Sequence, residues 1–383
     1  MAFDLQLFSR KLRSCREQLQ VPRVDVAQAT GMEEAILTAL ESGARAPTGD
    51  DILILSDFYK CDYKFFLSNE RLTAFEQTDT LFRRFGDAFS CQDRWAVLEV
   101  LFLADSEAFL QQALGKPRPR LFTFQKQGWS YKGHGAQAAG DLRQFLGYAE
   151  NEVPRNIYDD FRTIGLHVFR RRLENSNISG IYVQHPVVGA CILVNYNEDV
   201  YRQRFTAAHE AAHAILDHEE DVFVSFERKH GDLREVRANT FAAHYLMPPA
   251  FLQRIPEPRR WDRAKALHWA QALRVNTEAL AIALVDARLI DQSTAEEHIK
   301  AVRVPRDIKE DPELPTELAP RSRVRMETLL QRGLSSYYVR LCFEAYREGL
   351  VSAARVAEML LLDGDAALRA LAALYGEALR YGH

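Results

Sequence analysis

The sequence predicts an α+β protein that is mostly helical: an all-α helix-turn-helix unit first, then a unit with a small sheet and one His-Glu-x-x-His helix, then a helical C-terminal unit. Three observations predict it. Apolar residues recur at three- and four-residue spacing along most of the chain, the mark of amphipathic helices. Ile164–Phe169 reads as a strand, and Cys191–Asn195 is a further short apolar run. Prolines at 305, 312, 315 and 320, mixed with charges, set the last helical stretch apart. The boundaries that follow are 1–70, a helical connector at 71–155, a central domain at 156–292, a linker at 293–322, and a tail at 323–383.

Composition excludes several classes. With 383 residues, 47% hydrophobic and 27% charged, the chain has the make-up of a soluble globular protein with more than one core. A net charge of −4 is not that of a polyanion binder. No apolar run approaches the roughly 20 residues needed to span a bilayer, and no basic segment followed by an apolar run opens the chain, so a cytoplasmic location is expected. Five cysteines, Cys15, Cys61, Cys91, Cys191 and Cys342, include no C-x-x-C pair, which speaks against a disulfide framework and a cysteine zinc knuckle.

Taken in order, the first seventy residues read as five short helices: Leu5–Leu19, Val24–Ala29, Met32–Ser42, Asp50–Tyr59 and Tyr63–Leu67, with a turn at Thr30-Gly31 and a stop at Gly43. Arg16, Ala27, Gly31, Leu37, Leu40, Glu41, Gly43 and Pro47 resemble the Cro-type (XRE) helix-turn-helix family in type and position. The departure from that family lies where it reads bases. Those positions hold Met32, Glu33, Glu34, Ala35 and Ile36, and two carboxylates would repel a phosphate backbone. Residues 1–67 carry eight basic against ten acidic side chains, so DNA readout and protein docking both stand as roles for this domain.

Residues 68–115 are helical in pattern, most clearly at Arg94–Leu114. Lys116–Arg120 reads as a loop, as does Gln127–Gly135, with His134 solvated. Helix resumes over Gln137–Ala149, and the strand at Ile164–Phe169 enters the central domain.

The central domain holds the chemistry. Phe205–Leu216 contains His209-Glu210-Ala211-Ala212-His213 in an alanine-rich helical run without Gly or Pro. Residues four apart share a helix face, so both imidazoles can meet one ion, and Glu210 can reach a water beside it. Two imidazoles suit zinc, and a catalytic zinc keeps one position open for water. A pair of core histidines is the plain alternative. A second helix, Glu235–Met247, stopped at Pro248, offers Glu235 on the face of Ala238 and Ala242 as the third ligand.

Arg204-Phe205-Thr206, His209-Glu210-x-x-His213, Glu235-x-x-Ala238-Asn239-x-Phe241-Ala242-Ala243 and Leu246-Met247-Pro248 together resemble the ImmA/IrrE family of zinc metallopeptidases, over roughly residues 157–289. The resemblance implies a zincin-like domain and cleavage of a helix-turn-helix repressor encoded nearby, derepressing stress, mobile-element or phage-defence genes, under nucleic-acid or other activation. In this reading zinc sits on His209, His213 and Glu235, and Glu210 is the general base. Tyr245, His244 and Tyr201 are the candidates for steadying the oxyanion, Asp217 and His218 for orienting a ligand, and Cys91 for an inhibitory thiolate on the metal.

After Pro248, Ala264–Leu273 and Thr277–Leu289, the latter capped by Thr277, form a helix pair; the same resemblance implies that this pair closes the domain by packing and that Ile178–Gly180 and Cys191–Asn195 are short strands before the catalytic helix. Val324–Gly333, Ser336–Glu348, Ser352–Leu362 and Asp365–Tyr381 make up the tail, which leaves regulation, a homodimer contact or partner binding open. The competing function is a DNA-binding XRE-type regulator or antitoxin whose protease-like domain only senses. Glu210 separates the two, because a hydrolase needs it and a binding scaffold does not.

Overall fold

The computed structural model describes residues 3–61, 63–68, 78, 81–82, 85–116, 119–126, 128, 130–185, 187–218, 222–226, 232–315, 317–362 and 364–379. The helical reading of 68–90 falls largely outside them, as do Pro117, Arg118, Gln127, Trp129 and Tyr381 from the segments read above. The α+β, mostly helical class holds. Five short helices come first: α1 (Leu5–Leu19), α2 (Arg23–Thr30), α3 (Glu34–Ser42), α4 (Gly49–Phe58) and α5 (Tyr63–Leu67). They close over Phe8, Leu12, Leu37, Leu40 and Leu55. Gly31, with φ of 70°, makes the left-handed turn between α2 and α3.

The cations of this bundle are largely spent on the bundle itself. Arg16 grips buried Glu41 with two bonds of 2.6 and 3.0 Å, and Arg23 adds a third at 2.8 Å. Lys11 donates to the Phe65 and Ser68 carbonyls, while Arg45 pairs with Asp51 and Lys60 with Asp57. Glu33, Glu34 and Ala35 are exposed at the start of α3, whereas Met32 and Ile36 pack partly against the core.

Helix α6 (Cys91–Ala113) opens with a Ser90–Asp93 capping box and belongs to two cores. Leu98 joins the N-terminal bundle and Trp95 meets Phe58 edge-on at 5.2 Å, while Val97, Val100 and Leu101 lie on the sheet. Next comes α7 (Tyr131–Phe145), capped by Ser130, and this corrects the sequence reading: residues 131–135 are helix, not loop. His134 is likewise buried, 6.4 Å from the Phe124 ring, not solvated. The two glycines at 133 and 135 hid the helix from propensity, but a Cβ at Gly133 would crowd the Ser130 cap, and one at Gly135 would run into the backbone of α10 at Arg237.

After α8 (Ile157–Thr163) come β1 (His167–Arg171), β2 (Ile178–His185), β3 (Gly189–Asn195) and, beyond the next helix, β4 (Val222–Phe226), in the order β1-β3-β2-β4. β1 runs parallel to β3, and β2 is antiparallel to both β3 and β4. Ile164–Leu166 is a helix end and turn, so the first strand begins three residues later than its apolar run; β4 was not read from sequence at all. The pleat divides the layers cleanly. Val168, Tyr182, Ile192 and Val194 face one core, and Phe169, Ile181, Val183, Cys191 and Leu193 face the other.

On the first face lie α9 (Val200–Leu216), α10 (Leu233–Leu246), α7, and the pair α11 (Arg263–Leu273) and α12 (Thr277–Asp286). Asn276, not Thr277, caps α12, by accepting from Ala279 N, while the Thr277 hydroxyl donates to the Val302 carbonyl. On the second face α6 is joined by α14 (Ser336–Arg347), which follows α13 (Pro320–Leu330) and precedes α15 (Ala353–Met359) and α16 (Asp365–Tyr375).

The stretch 293–322 packs rather than hangs. Ala295, Ile299, Val304 and Leu314 are buried, and Asp311 and Glu313 enter an ionic cluster on β1. There Arg170, 2% exposed, donates to Asp311 at 2.7 and 3.0 Å, to Glu313 at 2.9 Å and to Gln203 at 3.2 Å; Arg162 holds the other Glu313 oxygen at 2.8 Å. Removing one partner from such a cluster strands the others as buried charge. Arg170→Ala is therefore expected to lower stability by about 3 kcal/mol, read as a drop in the urea midpoint, and an unchanged midpoint would refute that account.

Candidate metal centre

Alanines make α9 a buried helix: Ala207, Ala208, Ala211, Ala212 and Ala214 are all fully enclosed. Asp199 caps its start by accepting from Tyr201 N. Arg204 fixes its flank, donating to the carbonyls of Arg274, Arg155 and Pro154, so a fully buried guanidinium is satisfied by backbone alone. With α9 anchored, His209 and His213 emerge on one face.

Helix α10 brings the third donor. His209 Nε2 lies 3.2 Å from His213 Nε2 and 3.0 Å from Glu235 Oε2, and His213 Nε2 lies 3.8 Å from Glu235 Oε1. The three donor atoms fall within 4.8 Å of one another, and among the described residues no other group of three does so. On the far side of each ring an acceptor holds Nδ1: Asn239 Oδ1 at 2.9 Å from His209 and Asp217 Oδ2 at 3.1 Å from His213. Those acceptors assign the ring protons to Nδ1 and leave both Nε2 lone pairs facing a carboxylate. Three converging lone-pair donors repel one another without a cation between them, so the donor set fits a metal ion. Burial pulls both histidines down, but Glu235 and Glu210 override it at His209, which stays above its ordinary value, while His213 stays below.

Glu210 is fully buried, and neither of its oxygens has a hydrogen-bond partner among the described residues. Burial pushes its carboxyl up to about 7, opposed by the charge of His209. It stands over Gly180, which pairs across the sheet with Ser225. A Cβ at Gly180 would come within 2.6 Å of Glu210 Oε1 and 2.7 Å of Thr206 Cγ2, so glycine is the side chain this close approach permits.

The other predicted site residues are not brought to the donors in the roles foreseen. Tyr245 is fully buried and its hydroxyl donates to Asp160 at 2.7 Å, which removes it as an oxyanion group. His244, nine positions past Glu235, lies about 13 Å farther along the helix. Tyr201 is enclosed two turns before His209, beneath Lys309. Cys91 is exposed on the first turn of α6, on the other face of the sheet, and is not in the donor group. Asp217 alone of these meets a donor residue, with its Oδ2 3.1 Å from His213 Nδ1. Sequence reasoning missed the role of Asn239, although its i+4 spacing from Glu235 carries the same signal as the two histidines; Gly180 and Ser225 gave none, because only the sheet register brings them to Glu210.

A carboxyl near 7 when folded and near 4.5 when unfolded weakens the fold as pH rises from about 4.5 to about 7, and by a constant amount above that. In chelator-treated protein, Glu210→Gln is expected to be more stable than wild type by on the order of 2–3 kcal/mol at pH 8, with the difference vanishing towards pH 4.5. Parallel urea titrations at the two pH values check it; an equal difference at both would contradict the assignment.

No curated protein matches the chain. The peptidase-family model described as the IrrE N-terminal-like domain matches residues 161–285, less than half of the chain; this segment runs from the end of α8 to the end of α12, holds every donor of the group, and is similar to that peptidase domain.

Proposed function

We propose that this chain is a zinc-dependent endopeptidase and that it cuts a helix-turn-helix repressor. The observation that carries the reading is Glu210: a buried, unpartnered carboxylate beside three converging metal donors, which a scaffold that merely binds a metal does not need. Zinc held by His209, His213 and Glu235 would lower the pKa of its water from about 16 to about 7 and polarise the scissile carbonyl. Glu210 takes a proton from the attacking water and hands it to the leaving amine, a task matched by a carboxyl held near 7. Asn239 and Asp217 keep both imidazoles turned to the site throughout. Gly180, which has no side chain, lets the Glu210 carboxyl lie close against β2, beside Ser225 of β4.

The repressor as substrate rests on the family resemblance and on the N-terminal bundle. With Arg16 and Arg23 committed to Glu41, and with Glu33 and Glu34 exposed where bases would be read, the bundle suits docking of a protein better than a phosphate backbone.

The test is incubation of the purified, zinc-loaded chain with the helix-turn-helix repressor encoded beside its gene, with and without nucleic acid. Wild type is expected to cut it, and chelator to stop the cut. Glu210→Gln should keep zinc but lose at least about 100-fold in rate, whereas His209→Ala should lose both. Bound zinc with no cleavage of a folded repressor in any condition would turn the reading towards a sensing regulator.

A further inference from the structure

Helix α10 delivers more than Glu235. Asn239, one turn on, holds the His209 ring. Arg237, between them, leaves on another side and forms a buried ion pair with Asp217 Oδ1, while Asp217 Oδ2 holds the His213 ring at 3.1 Å. One helix thus supplies a donor and restrains both imidazoles. Arg237 is itself held from outside the matched segment. Its guanidinium lies over the ring of Tyr131, 5.4 Å from the centroid, at the first position of α7. One turn later Gly135 lets α7 sit directly on the α10 backbone: a Cβ there would run into the Arg237 carbonyl oxygen and stand 3.0 Å from Phe241 N. Lys126, just before α7, reaches 4.0 Å from Asp217.

We propose that Arg237 is a positioning residue of the metal centre and that α7 is the element that holds it in place. Tyr131 and Gly135 seat Arg237, Arg237 neutralises and aims Asp217, and Asp217 turns the His213 ring so that Nε2 faces the ion. Without the guanidinium, Asp217 is a buried carboxylate whose remaining Lys or Arg partner among the described residues is Lys126 at 4.0 Å, and it is free to swing off Nδ1. The inference rests on the zinc reading above.

The experiment is a chelator competition for zinc on the full chain, comparing wild type with Arg237→Ala, Arg237→Lys, Tyr131→Ala and Gly140→Ala. Gly140 lies on α7, but a Cβ there meets nothing within 4 Å, so its variant should bind as wild type does. Arg237→Ala is expected to bind zinc about 10–100-fold more weakly, with a shifted visible spectrum when cobalt replaces zinc. Lysine keeps the charge without the planar stack, so Arg237→Lys should fall between, and Tyr131→Ala should weaken binding several-fold. Should Arg237→Ala fail to fold by circular dichroism, the lysine and Tyr131 variants decide. Wild-type zinc affinity and an unshifted cobalt spectrum in the folded variants would overturn the inference and leave the peptidase reading standing. A wild type that binds no zinc would overturn both.

Discussion

The centre depends on two helices approaching closely enough for donors on each to meet. The helical repeat places His209 and His213 on one face of α9, but nothing within α9 supplies the third donor. Glu235 arrives on α10, and its distance from the rings is set by what lies between and behind the helices. Ala211, Ala212, Ala238 and Ala242 are all buried and small, so the interface needs no bulky side chains to fill it. Behind α10, α7 presses through Gly135, Ala138 and Ala139, and no larger residue could stand at the closest point. Shape in the outer layer thereby fixes electrostatics in the inner one.

Charge is buried repeatedly among the described residues, and the buried carboxylates there other than Glu210 are answered by a cation or a hydrogen-bond donor. Glu41 has Arg16 and Arg23; Asp51 has Arg45 and the Thr48 amide; Asp93 has the amides of Ser90, Glu174 and Asn175. Glu107 has His167, Asp217 has Arg237 and His213, and Glu313 has Arg162 and Arg170. Glu210, enclosed as fully as any, has no hydrogen-bond partner among the described residues. Folding alone gives no reason to keep a group that weakens the protein near neutral pH. A carboxylate whose proton must come and go does need to be left unbound, and a tight partner would pin its charge.

What could be read from sequence divides along the same physical line. The class, the helix of His209 and His213 and the helix of Glu235 were legible because local periodicity alone specifies them. Arg16 with Glu41 was visible as a pattern, but not as a buried clasp. The start of the helix at 131–145 was read as loop because Gly133 and Gly135 are penalised by propensity, whereas Gly135 is favoured by Arg237 and Phe241 of α10, far away in sequence. Gly180 under Glu210 depends on strand register, and Arg237 on where α9 ends relative to α10; neither is a local property. The expectation for Tyr245 failed for the same reason, since Asp160 lies on α8 and no spacing announces it. Close packing between distant segments, rather than any chemistry of the residues themselves, marks the limit of the reading.

The outer layers are joined to the site through α6. Arg94 donates to the Gln18 carbonyl at 2.6 Å and Trp95 and Leu98 meet the bundle, while Val97, Val100 and Leu101 lie against the back of β2 and β3. The front of β2 carries Gly180, directly beneath Glu210. One helix and one sheet therefore separate the bundle from Glu210, and α6 packs against both. If the bundle is the docking module proposed here, a repressor bound to it is held on the same frame as the donors. Recognition then does not have to be built into the site itself.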